Sequence, residues 1–198
     1  MLWPVLLDTH PREPWWSQGE RVTTRLRWLD NPELPDDLVL RQVVVRATTL
    51  LDVDGRPWAQ LIEAGDLRAV READHLGGDI ALDGCLGLDA YLHLIGELPI
   101  TVGTVRRIRV VLDRHDRGID GWIRRPDDVR LTDVPDTRPE RLRGDPSVVE
   151  PLPDERPELG TMQFLSPERY FQTFRDRLPA QQWQARGFLV DLDVTDPS

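Results

Sequence analysis

Three stretches hold the residue types that could amount to a reaction. Glu72-Ala73-Asp74-His75-Leu76-Gly77-Gly78-Asp79 sets one imidazole among carboxylates in a glycine-containing stretch, and His75 with Asp79 could supply nitrogen and oxygen donors to a divalent cation. His93 and Glu97 bracket the end of an apolar run. Asp113, His115 and Asp116 place an acid beside a base in a loop after a strand, where groups that transfer protons are often held. A small metal-dependent or hydrolytic enzyme would draw on His93, Glu97, His115 and Asp113. Each stretch lacks the companion its chemistry requires. His75 has no His-Glu-x-x-His, His-x-Glu or paired-Cys pattern around it. Tyr91 stands where a His-x-His pair ending at His93 would need its first His. Ser17, Ser147, Ser166 and Ser198 fall in a turn, a linker, a cap and a terminus, and none sits in a Gly-x-Ser-x-Gly elbow. Gly77-Gly78 and Gly84-x-x-Gly87 have neither the strand-to-helix setting nor the Lys of a phosphate loop. The carboxylate-rich stretches therefore read as solvated turns, with no metal, no cofactor and no catalytic residue assigned.

A different chemistry is offered by Trp15-Trp16, framed by Pro14 and Gly19 and flanked by Arg12 and Arg21. Trp and Arg dominate the energetics of protein interfaces, so this group is the candidate for contact with a protein partner. The competing reading is that one or both Trp close an end of a barrel.

Charge bears on which partners are possible. The 198-residue chain has 25 basic residues, all of them Arg, against 35 Asp and Glu, for a net charge of −10. Half of that excess, a net −5, lies between Pro126 and Thr161. An acidic chain without a basic stripe is a poor nucleic-acid binder, because phosphate neutralisation supplies most non-specific affinity. A basic protein partner suits it better. The single Cys85, set among Leu82, Gly84, Leu86 and Leu88, reads as a small buried residue in a reducing compartment. Met1–Leu7 has no positive leader and reads as a first strand, and no apolar run approaches the ~18 residues that span a bilayer. A cytoplasmic protein without a membrane partner is the expectation.

The elements that must position these residues are mostly strands. Val22, Thr24, Leu26 and Trp28 alternate with Arg21, Thr23, Arg25 and Arg27, the period of a strand with one wet face. Val39–Leu51 is denser in Val, Leu and Thr, as in a central strand covered on both faces, and Asp54-Gly55 turns it into a return strand over Trp58–Ile62. Asp66–His75 shows helical spacing at Leu67, Val70 and Ala73, and Leu88–Ile95 alternates as a strand. In Gly103–Asp113 the apolar phase slips by one residue at Arg106-Arg107, between Val105 and Ile108, which predicts a β-bulge and a curled sheet. From Pro126 come seven Pro up to Pro157. Ser166-Pro167-Glu168 then opens a helix with the stripe Tyr170, Phe171, Phe174 and Leu178, and Phe188, Val190, Leu192 and Val194 alternate as a last strand.

Three blocks, Gly19-Glu20-Arg21-Val22, Thr101-Val102-Gly103-Thr104-Val105-Arg106-Arg107-Ile108 and Gly187-Phe188-Leu189-Val190-Asp191-Leu192-Asp193-Val194, resemble an uncharacterised family of small proteins from high-GC bacteria. The family has no assigned activity, so the resemblance implies no site residues. The expected fold is mainly β (α+β), a small curled sheet or barrel with one C-terminal helix and a final strand packed back on it. Residues 1–125 form the β-rich body, 126–161 a Pro-rich acidic linker or wrapping arm, and 162–198 a helix-strand element docking on the body. The expected function is non-enzymatic: a cytoplasmic protein-binding or accessory module.

Overall fold

A computed structural model describes residues 1–8, 15–30, 32–52, 54–73, 77–88, 99–118, 121–142 and 181–195. The described chain is mainly β. Its strands are β1 (Leu2–Asp8), β2 (Arg21–Thr24), β3 (Leu26–Leu29), β4 (Leu40–Leu51), β5 (Pro57–Ala64), β6 (Leu67–Arg71), β7 (Gly78–Leu88), β8 (Thr101–Arg117), β9 (Trp122–Asp133) and β10 (Gln181–Thr195). One-turn 3-10 helices occupy Asp36–Leu38 and Pro139–Leu142.

Five of the strands close a ring: β3 pairs with β6, β6 with β5, β5 with β4, β4 with β7, and β7 again with β3. The seam is thin, since β3 and β6 share the single register pair Arg27↔Val70. Beside it, Arg71 Nε donates to Asp30 Oδ1 at 2.9 Å and Arg71 Nη1 to the buried Gln60 Oε1 at 3.2 Å. From β7 the sheet continues out of the ring through β1, β10 and β8. β2 and β9 then pair with different stretches of β8, at Thr101–Thr104 and Arg109–Arg117.

One apolar core runs through both parts. Leu26, Trp28, Val45, Ile62, Leu67, Leu82 and Leu86 of the ring join Trp3, Val5, Leu7, Val105, Ile108, Val110, Phe188, Val190 and Leu192 of the extended sheet. Each such side chain contributes about 1.5–3 kcal/mol on burial. On the sheet's other face, Leu6, Cys85, Val111 and Leu189 form a second cluster, against which Leu29, Leu34 and Leu38 pack together with Val129 and Leu131 of β9. β1 feeds both clusters, which is why its sequence is apolar almost without alternation.

The bulge lies where the pattern put it. Asp191 pairs with Arg107 and Leu192 with Val105, so Arg106 is the extra residue, and Val105, Ile108 and Val110 all stay in the core. The hairpin of β4 and β5 is also present, Ala47↔Ile62 to Leu51↔Pro57, around Gly55 at φ 76°.

Other expectations are corrected. The helix over 66–75 is instead strand β6, because Gly65 at φ 59° makes a two-residue turn with Asp66, and Leu67 and Ala69 then alternate into the core. The strand over 22–28 divides at Arg25: β2 pairs with β8, and β3 turns to β7 and β6. β4 is flanked by strands on both edges but covered on one face only, with Val45 and Ala47 buried and Val44 69% exposed. Residues 126–133, expected in the Pro-rich arm, lie within β9, whose pairing skips Pro126–Asp128 and so admits the Pro. The expected C-terminal helix and all of the expected 88–95 strand but Leu88, the end of β7, lie outside the described residues, while the last strand is the long β10, held between β1 and β8. No helix among the described residues is long and apolar enough to cross a membrane.

Candidate functional site

The segment Trp15–Glu20 crosses the outer end of the extended sheet, and its backbone is tied down at nearly every residue. Trp16 N–H donates to Thr137 Oγ1 at 2.8 Å, and Thr137 N–H returns a bond to the Trp16 carbonyl at 2.9 Å. Ser17 bridges Asp136, and Gln18 N–H donates to the Pro135 carbonyl at 2.9 Å. On the other side, Gly19 N–H donates to the Val105 carbonyl at 2.8 Å, Val105 N–H to the Glu20 carbonyl at 2.9 Å, and Gln18 Nε2 to the Arg106 carbonyl at 3.1 Å. The bulge at Arg106 thus presents carbonyls that fasten this turn. Gly19 supplies the left-handed φ of 84° that the turn requires, and Ser17 N–H closes it onto Glu20 Oε2 at 2.8 Å.

The two Trp part company on this clamp. Trp16 is 2% exposed and belongs to the core, whereas Trp15 is 62% exposed. The clamp is itself braced by Asp136, whose carboxylate accepts Arg138 Nη2 at 2.7 Å and Arg141 Nη2 at 3.0 Å. The bonds from Arg138 and then Arg141 hold the Asp136 carboxyl well below the ordinary carboxylate range. Arg21 is exposed at the start of β2, opposite Thr104, and Arg12 lies outside the described residues.

The second cluster is the one the His and carboxylate pattern suggested. Asp113 is 3% exposed, on β8, and its Oδ2 accepts Arg124 Nε at 2.5 Å. Arg124 also pairs with Glu33, and Arg186 donates to the carbonyls of Glu33 at 3.0 Å and Pro32 at 2.5 Å. His115 directs Nδ1 to the main-chain oxygen of Asp113 at 3.2 Å and not to its carboxylate. The two residues are therefore adjacent without forming an acid-base couple: the carboxylate meets an arginine through Oδ2 while its Oδ1 is shielded without a hydrogen-bond partner, and the imidazole is met by backbone. Asp116 is gripped by Arg125 and Arg114, which hold its carboxyl below the ordinary range. Among the described residues no group of His, Cys, Asp and Glu could hold a metal ion. Asp79 is exposed on β7 with Arg46 as its register partner, while His75, His93 and Glu97 lie outside the described residues. The chemistry of the Asp113 cluster is thus that of a structural ion-pair network, fastening the 32–39 connection over the second face of the sheet.

Burial pushes the Cys85 thiol up to about 12, against the opposing pull of Arg186. It is a packing residue here.

Sequence reasoning singled out Trp15, Trp16 and Arg21 but missed Thr137, Asp136, Arg124, Glu33 and Arg186. Thr137 lies 121 positions from Trp16, and no spacing rule connects them. Compared with protein-family models, curated proteins and solved structures, the chain matches none.

Proposed function

We propose that this protein is a non-enzymatic accessory module that binds a protein partner through Trp15, with Arg21 on the same clamped turn-and-strand segment. The observation that carries the reading is the contrast within one dipeptide: Trp15 is 62% exposed beside a Trp16 that is 2% exposed and hydrogen-bonded through both its N–H and its carbonyl. An exposed indole one residue from a pinned backbone has less conformational entropy to lose on association than one on a free loop, which is how an interface anchor gains affinity. The surplus of negative charge, −10 over the chain, favours encounter with a basic surface. Asp113 and His115, the alternative enzymatic groups, are engaged by Arg124 and by backbone, which supports the binding reading over the catalytic one.

The test is parallel affinity capture with the full chain and with Trp15→Ala. Because the side chain is mostly in water, the variant should melt within about 1 °C of the parent. It should lose the specific binder that the parent retains. A binder recovered equally by both proteins would remove Trp15 from the interface and the proposal with it.

A further inference from the structure

The connection between β3 and β4 is strained at both ends. Glu33 at φ 50° and Gln42 at φ 51° are the two non-glycine residues with left-handed backbone among the described residues, and they bracket this one segment. An L side chain adopts that conformation at a cost in free energy, which the surroundings must offset. Among the described residues, 33–39 make one hydrogen bond between main-chain groups, and it is internal, from Leu38 N–H to the Pro35 carbonyl at 2.9 Å. Leu40 pairs with Gly84, but the irregularity over 41–42 cuts that pair off from the rest of the β4 ladder. Side chains do the fastening instead. At one end Arg124 pairs with the Glu33 carboxylate, and Arg124 and Arg186 donate to the Glu33 carbonyl at 3.2 and 3.0 Å. At the other, Asp83 Oδ1 accepts Gln42 N–H at 2.7 Å, and Arg41 pairs with Asp83 at 3.3 Å and with Asp36.

Underneath, Leu34 and Leu38 pack on the cluster of Leu6, Cys85, Val111 and Leu189, while Asp36 and Asp37 face solvent. A segment with few main-chain bonds, strained at both ends and held by ion pairs that are partly in water, belongs to the low-stability end of a fold and opens ahead of the rest. The Glu33 end lies close to the thiol. Burial raises the Cys85 thiol, and the charge that pulls against burial is Arg186, the same side chain that grips the carbonyls of Pro32 and Glu33. The chain's single cysteine therefore sits beneath the fastened end of the segment and reports on it.

We propose that residues 33–41 are a strap that leaves the sheet as a unit while the rest of the fold stays intact, and that the grip of Arg124 and Arg186 on Glu33 is the latch that keeps it shut. Because the strap covers an apolar face, the latch decides whether that face is presented to another molecule. The device is independent of the Trp15 surface. The experiment labels Cys85 with an aromatic disulfide reagent in the full-length parent and in Glu33→Gln with Arg186→Gln, over urea concentrations below the unfolding transition. Arg124 stays in place to face Asp113, so the double variant strips no buried carboxylate of its partner. In the parent the labelling rate should climb with urea as steeply as the unfolding equilibrium does. In the double variant labelling should be at least about tenfold faster without urea and nearly independent of urea, the mark of a local opening. Losing Arg186 takes a cation away from the thiol and so opposes this acceleration. Glu33→Gln alone alters an exposed side chain and decides the matter if the double variant does not fold; it should label faster than the parent with the same flat urea dependence. A folded variant that labels no faster than the parent, or whose rate climbs with urea as steeply as global unfolding, would overturn the proposal.

Discussion

Closure of the five-strand ring depends on how closely β3 approaches β7, and two glycines of β7 allow that approach to be measured. Gly84 and Gly78 have nearly the same backbone conformation, φ 147° and 143°, which an L side chain adopts only under strain. Their surroundings differ. A Cβ on Gly84 would lie 2.1 Å from the Leu29 carbonyl oxygen and 2.9 Å from Trp28 Nε1, both on β3, whereas a Cβ on Gly78 would meet nothing within 4 Å. Gly78→Ala should therefore cost only the conformational term, about 1–2 kcal/mol. Gly84→Ala carries that same term plus the cost of forcing β3 away from β7. The clash is with backbone, so no rotamer change relieves it, and overpacking of this kind adds about 1–3 kcal/mol or more. The expected total is about 2–5 kcal/mol, a large share of an ordinary domain's stability. Urea unfolding followed by Trp fluorescence would give both values, and the difference between the variants isolates the contact. Equal destabilisation of the two would refute the close packing of β3 on β7.

Two further outcomes follow from the same structure. The carboxyl of Asp136 is held below its unfolded value, so its contribution to stability is full above the unfolded pKa of about 4 and is lost as the pH falls toward the folded value; the melting-temperature gap between parent and Asp136→Asn should narrow below about pH 4, and a gap that widens in acid would contradict the assignment. Cys85, with no exposed surface and a thiol raised to about 12, should resist an aromatic disulfide reagent at pH 8 and react only as the protein unfolds, whereas stoichiometric labelling of the native protein within seconds would show the second face of the sheet to be open.

What the sequence revealed was local. The one-residue slip at Arg106-Arg107 gave the bulge, since Val105 and Ile108 can face one core only if an extra residue stands between them. Alternation over Phe188–Val194 likewise marked a strand with a buried face, though its pairing with both β1 and β8 could not be read from so short a run. The 66–71 segment misled because Leu67 and Val70 suit a helical period, while the decisive fact was the two-residue turn at Gly65-Asp66 that delivers the chain into an antiparallel hairpin. The run from Arg21 to Trp28 kept its alternation across a change of partner strands, and side-chain period carries no trace of which strand sits alongside. The candidate site was legible only in part. Trp15-Trp16 stood out by composition, but which indole is buried depends on Thr137 and on the carbonyls freed at a bulge nearly ninety positions away.

The central claim is that Trp15 is an interface anchor held ready by the clamp beneath it. Its most direct test is the dissociation constant of the captured and purified binder, measured by calorimetry against the full-length protein and against Trp15→Ala at the same ionic strength. An anchor of this kind should account for at least about 2 kcal/mol, so the constant should rise about thirtyfold or more in a variant whose melting temperature is unchanged. A binder that associates with both proteins with the same dissociation constant would contradict the account.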